Sequence, residues 1–275
     1  MRSKLVKTGL WLHTVLTILA GLGLFFFPQT FGPMWPWALP PLAARFMGSL
    51  LVGGGVCTAL AALAPEPLPL AGPALLGLGD ILIASVGLLD IAETGLGGRM
   101  IVWLAAFFGL ALLLFLLLLL AGRQAFRVND KTSLGTALRV YFSIHMAVVI
   151  PVGLTMYLGP ILAQPLWPWA LSPVNVRLLG AFFVGASVLS VWSLLQKNWQ
   201  AIQPLVGLYA VFTTFATIAS IIHFRLFNPA RIATWAFFAL YVFVAIGAWF
   251  FLARAWRSQN RRQSEKLDSV LETNK

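Results

Sequence analysis

The stretch Trp35-Pro36-Trp37-Ala38-Leu39-Pro40-Pro41 returns later in the chain as Trp167-Pro168-Trp169-Ala170-Leu171-Ser172-Pro173. An arginine and a glycine follow each copy at matched distances, Arg45 and Gly48 in the first and Arg177 and Gly180 in the second, so one offset of 132 residues relates them. The offset extends well outside the motif. His13 falls on His145, Gly21 on Gly153, Pro28 on Pro160, Gly53 on Gly185, Arg99 on Arg231 and Trp103 on Trp235. Solenoid units run roughly 20–50 residues, so a period this long is the copying of a whole domain. The chain reads as a tandem duplication, and its fold must be built from two copies of whatever one half forms.

What one half forms follows from its solubility. Of 275 residues, 60% are hydrophobic and only 10% charged, outside the range of soluble domains. A bilayer core of ~30 Å takes about 20 apolar residues of helix. Such runs fall at roughly 9–27, 42–64, 69–91, 99–122, 139–158, 174–196, 201–224 and 231–254, four to each repeat. The expected fold is all-α: an eight-helix transmembrane bundle of two parallel four-helix repeats, spanning residues 1–128 and 129–256, with a basic cytoplasmic tail over 257–275. An even number of spans returns the chain to its starting side, so both copies insert the same way about a pseudo-two-fold axis along the membrane normal. The basic start before the first apolar run imitates a secretory signal. Its spanning length and its alignment with the segment around His145 make it the first transmembrane helix instead.

The net charge of +11 does not imply nucleic acid, because the charges sit at helix ends and in the tail. Fourteen Lys and Arg residues flank the helices on the side of the termini; five, Arg45, Arg99, Arg177, Arg225 and Arg231, lie on the other. The excess marks the side of the termini as cytoplasmic. Membrane lipids are the expected partners, with anionic lipid drawn to the tail. Cys57 is the single cysteine, which excludes an intrachain disulfide and a multi-cysteine metal site; no metal is expected.

Proline at 41 and 173 suits the first turn of a helix, where the amide it lacks has no partner. Trp35, Trp37, Trp167 and Trp169 suit the headgroup level as interfacial anchors, each with an apolar face and one wet N–H. Arg45 and Arg177 share a helix face with Gly48 and Gly180, an arrangement for snorkelling above a close helix contact. In repeat one, Asp90 and Glu93 stand at the depth of Arg45 and Arg99, and internal ion pairs are expected. The offset replaces those acids by Ile222 and Arg225 in repeat two. Arg177, Arg225 and Arg231, with His223 beside them, therefore either borrow Asp90 and Glu93 across the pseudo-axis or form an outward anion site suited to phosphate or carboxylate.

Asp80 is the one acid near the middle of a helix, a candidate proton or substrate group; a protonated acid bonded to backbone or hydroxyl would equally satisfy it. His13 and His145 are matched by the offset and, were their helices to meet at the axis, would ligate one b-type haem from both sides. Packed histidines bonded to Ser, Thr or carbonyl groups are the plainer reading. There is no metalloprotease helix motif, phosphate loop or nucleophile elbow, so nothing names an enzyme.

The paired Trp-Pro-Trp-x-Leu-x-Pro-x-x-x-Arg-x-x-Gly pattern resembles that of bacterial multi-pass membrane proteins to which no activity attaches. The resemblance implies the bacterial inner membrane and carries over no catalytic residue. Three function classes follow: a transporter or binding protein for a small or amphipathic, anionic molecule between the repeats; a non-catalytic scaffold or lipid-interacting protein; and a haem electron carrier using His13 and His145.

Overall fold

The computed structural model describes residues 2–126 and 134–273, apart from the side chains of Arg2, Glu93 and residues 259–273. Within them the chain is helical. Eight helices are long and apolar enough to cross a membrane: α1 (Arg2–Phe26), α2 (Pro41–Leu63), α3 (Ala71–Leu89), α4 (Gly98–Ala121), α5 (Thr136–Leu158), α6 (Pro173–Leu195), α7 (Trp199–Ile222) and α8 (Ile232–Thr273). The expected spans are thus recovered with shifts of a few residues at most ends, while α1 begins earlier and α8 ends later than expected. The tail from 257 continues α8 as helix to Thr273. Residues 127–133 of the polar connection between the halves, with Asn129, Asp130, Lys131 and Ser133, lie outside the described residues.

Helix starts follow the local chemistry. Pro41 and Pro173 each occupy the first turn, and Ser172 caps α6 by accepting from the Asn175 N–H at 3.4 Å. α1 ends before Pro28 and α5 before Pro160; each gives way to a short helical turn, Pro28–Phe31 and Pro160–Ala163, that leads into the Trp-Pro-Trp segment.

The packing order sets the architecture. α1 packs on α2, and α5 on α6. α3 packs on α4 and on α6, whereas α7 packs on α8 and on α2. The third long helix of each half therefore packs both on the fourth helix of its own half and on the second long helix of the other half. α2, α6 and α7 form the centre, with 15, 15 and 16 buried residues. α4 and α8 lie outermost, where apolar side chains such as Val102, Leu119, Trp235 and Ile246 are exposed for lipid to cover.

Two close contacts hold the α1–α2 and α5–α6 pairs. A Cβ on Gly48 would lie 2.7 Å from the Phe25 nitrogen, and one on Gly21 would lie 2.7 Å from the Gly48 carbonyl oxygen. In the other pair a Cβ on Gly153 would lie 2.8 Å from that of Phe183, and one on Gly180 would lie 2.7 Å from the Met156 carbonyl carbon. Backbone approach of this kind replaces the hydrophobic drive that helices lack inside lipid. Gly48→Ala and Gly153→Ala should each destabilise by ~1–3 kcal/mol, the cost of overpacking. Gly54→Ala, where an added Cβ meets nothing within 4 Å, should stay within ~0.5 kcal/mol. Thermal unfolding of the three variants in one detergent separates them.

Candidate functional sites

Three features draw together the residues singled out in the sequence: a ring of cross-links at one end of the bundle, a small interior cavity, and a groove on the side.

The cross-links involve the arginines. Arg177 on α6 pairs with Asp90, just past α3, at 3.2 Å, with both side chains mostly buried. Asp90 thus serves the other half. The Glu93 side chain lies outside the described residues. Arg45 on α2 donates from Nε to the Phe25 carbonyl at 3.0 Å and from Nη1 to Nε2 of His223, just past α7. Asp90 and His223 occupy corresponding backbone positions, each capping its helix C-terminus with φ near −105° and ψ near +20°. The two arginine contacts are accordingly matched links between halves, one to a carboxylate and one to a neutral imidazole. Desolvation first, and the Arg45 guanidinium second, lower the pKa of His223.

Arg99 and Arg231 have another task. Arg99 donates to the Pro33 carbonyl at 2.7 Å; Arg231 donates to the Pro165 carbonyl at 3.1 Å and to that of Trp167 at 3.2 Å. Each ties the segment before its Trp-Pro-Trp to the following outer helix. Arg225 is exposed in a 3-10 turn over Phe224–Leu226. The arginines and His223 do not converge on one anion site.

The tryptophans also sit differently from expectation. Trp35, Trp167 and Trp169 are buried within the protein, and their indole N–H groups have no hydrogen-bond partner. Their rings stack edge-on with neighbours, Trp35 and Trp37 against Trp103 at 5.6 and 5.0 Å, Trp167 and Trp169 against Phe237 at 6.0 and 5.3 Å. A wet N–H at a headgroup therefore does not describe these three; the segment folds inward and its rings join the core. Trp103 and Trp235, paired by the offset, part company, the first buried and the second exposed. The Trp37 N–H donates to Asn175 Oδ1 at 3.0 Å, and Asn175 returns a bond to the Ala38 carbonyl at 3.1 Å. These bonds again join the halves. Gln200 does the same at the other end, donating to the carbonyls of Pro65 and Pro67. Neither amide was singled out in the sequence. Asn175 stands where the offset puts Ala43, and that polar-for-apolar exchange was the available signal.

The imidazoles are not brought together. α1 packs on α2 and α4, α5 on α6, and the two rings line separate cavities. His145 Nδ1 bonds Ser190 at 2.9 Å; Ser190 bonds Tyr209 at 3.0 Å, and Tyr209 donates to the Ala186 carbonyl at 2.8 Å. His13 Nδ1 bonds Thr58 at 3.3 Å, and Thr58 donates to the Gly55 carbonyl at 3.1 Å. The His145 cavity measures only ≈ 10 Å³. That of His13 measures ≈ 50 Å³, lies among α1, α2, α3, α6 and α7, and is also lined by Asp80. Among the described residues no group of three or more His, Cys, Asp or Glu forms a metal-binding cluster.

The groove runs between α1 and α4 and has a volume of ≈ 1240 Å³. Arg99, Thr30 and Trp35 mark one end; Leu12 and Leu113 mark the other; Leu16, Ala106 and Leu110 are among the walls. The corresponding groove between α5 and α8 is smaller, ≈ 370 Å³, with no arginine in its lining. No protein-family model, curated protein or solved structure matches the chain.

Removing one partner of a buried ion pair leaves the other charge uncompensated, so Arg177→Gln or Asp90→Asn should each destabilise by ~3 kcal/mol. The double substitution should cost less than the sum of the two, as thermal melts in a double-mutant cycle would read. At the matched link the sign is set by the lowered His223 pKa. Its stabilisation is complete above the unfolded-state value of ~6.5 and erodes as pH falls through it. His223→Gln should flatten that part of the stability profile.

Proposed function

We propose that this chain is an inner-membrane binding protein for a single amphipathic molecule with an anionic head, held in the groove between α1 and α4. The observation that carries this reading is the groove itself, apolar along its walls and bordered by Arg99 at one end. It follows α4 from Gly98 to Leu113, which at 1.5 Å per residue is about 22 Å. That length suits an extended hydrocarbon tail better than a compact solute. Arg99 spends one N–H on the Pro33 carbonyl, and a guanidinium has five in all to offer a phosphate or carboxylate.

A site between the two repeats is the less favoured location, because the interior cavity at ≈ 50 Å³ is far below the ~300–1,000 Å³ of small-molecule sites. The side groove also accounts for the inequality of the halves, since the smaller groove lacks an arginine. We further read the chain as a tandem duplication with both termini cytoplasmic. The carbonyl bonds of Arg99 and Arg231, which the offset superimposes residue for residue, support the duplication. The Lys and Arg distribution supports the orientation. Resemblance in the repeated motif supports a bacterial inner membrane.

Native mass spectrometry of the protein purified in mild detergent tests the reading. A phospholipid or other anionic amphiphile should stay bound. Arg99→Gln, losing a charge-assisted contact of ~1.5–3 kcal/mol, should weaken its retention roughly tenfold or more. Gly109→Phe places a side chain in the groove at a position where an added Cβ meets nothing within 4 Å, and should abolish retention while leaving the melting temperature unchanged. Equal retention by all three proteins would dismiss the groove as the site.

A further inference from the structure

The interior cavity holds two polar atoms with no hydrogen-bond partner, His13 Nε2 and Asp80 Oδ2. His13 is only 2% exposed. The cavity exists because small residues line it. A Cβ added to Gly54 or Gly79 meets nothing within 4 Å, and Gly185 stands over Gly79 with room for little else, a Cβ there lying 3.3 Å from the Gly79 Cα. At ≈ 50 Å³ the space takes one or two water molecules, given about 30 Å³ of liquid volume each. Water enters such a space only where polar partners receive it, and these two atoms are such partners.

The hydrogen bonds around His13 fix what its free nitrogen does. The Thr58 hydroxyl reaches the Gly55 carbonyl at 3.1 Å and the Gly54 carbonyl at 3.4 Å and touches Thr14 Oγ1 at 2.9 Å; with its one proton on a carbonyl it accepts toward His13, an arrangement that assigns the ring proton to Nδ1. Nε2 is therefore an acceptor facing the cavity. A carboxylate on the opposite wall would give that space two acceptors and no donor; a carboxylic acid supplies the missing one. No other titratable group lines the cavity. From α1 come His13 and the Thr17 hydroxyl, which is committed to backbone carbonyls; α2, α6 and α7 contribute only apolar side chains and glycines. We propose that this cavity is a hydrated proton-holding site, in which the Asp80 carboxyl keeps one proton and donates it through bridging water to His13 Nε2.

The other half lacks the device. The offset places Phe212 at the position of Asp80 and Tyr209 at that of Gly77, and both are fully packed. Phe212 lies against Phe46 and Phe182 with ring centres 5.4 and 4.7 Å apart, and Tyr209 completes the chain from His145. One half of the molecule is sealed and the other keeps a proton site beside the α3–α6 contact, where the halves meet. This inference stands independently of the groove.

Infrared spectroscopy of the purified protein at pH 7 reads the proton directly. A carboxylic-acid C=O stretch should appear, should move on aspartate-specific carbon-13 labelling, should be lost in Asp80→Asn, and should shift to lower frequency after transfer to D₂O as bridging water exchanges. Gly54→Ala, which fills part of the cavity without a clash, should keep the band but raise its frequency and slow its response to D₂O. Absence of an acid band in the labelled wild-type protein would overturn the proposal even if Asp80→Asn failed to fold. So would a band identical in frequency and exchange in wild type and Gly54→Ala, since that acid would be dry.

Discussion

The crossing of the third helices carries the structure. Because α3 lies on α6 and α7 on α2, neither half has a complete set of neighbours without the other. Within a membrane no hydrophobic drive distinguishes a helix from lipid, so such an arrangement needs close backbone contact and directional polar links. Gly79 beneath Gly185 supplies the first where α3 meets α6. The links come at both ends: Asp90 with Arg177, Arg45 with His223, Asn175 with the Trp37 segment, Gln200 with the loop at Pro65 and Pro67. Intramembrane and near-membrane polar groups commonly pair in this way. Here the pairs run between halves, which makes each half a template for the other.

The same requirement explains why the charged residues of the outer end form no collective binding site. An arginine with a carbonyl or carboxylate in reach spends donors locally, as Arg45, Arg177 and Arg231 each do. Arg99 also holds a carbonyl, yet alone among them it lines a large groove. The distinction was invisible in sequence, where Arg99 and Arg231 are equivalents. It arises because the α5–α8 groove is partly filled by aromatic side chains, Phe237 and Tyr241 among its lining, where the offset places Ala105 and Gly109 on the first side.

Helix number and most span limits were legible in the sequence because each rests on a local rule, the length of an apolar run or a proline in a first turn; the carbonyl bonds of Arg99 and Arg231 were not, since an arginine near acids reads as an ion pair. The crossing of halves was not, since α3 and α7 are apolar on most faces and nothing in their periodicity selects a partner. The inward packing of Trp35, Trp167 and Trp169 is hidden in the sequence for a related reason. Indole at a helix entry is equally suited to a headgroup and to a core, and only the nearness of Trp103 and Phe237 decides between them. The histidines illustrate the converse. Their plainer reading, rings bonded to hydroxyls, is what His145 displays in full, whereas His13 differs through a change one helix away, from a position filled by Phe212 in one copy to Asp80 in the other.

That single exchange changes how the two halves are to be compared. A duplicated bundle with identical cores would offer two equal pairs of grooves and cavities. Here the larger groove falls in the first half and the larger cavity where the halves meet, and the two share wall residues Thr17 and Leu51. Anything that moves α1 against α2 therefore alters both spaces at once. The second half, with its chain from His145 to Ala186 closed and its aromatic side chains packed, offers the surface against which that movement would occur. A ligand in the groove and water in the cavity, as proposed, would then be coupled through these shared walls, with no separate pathway between the two sites.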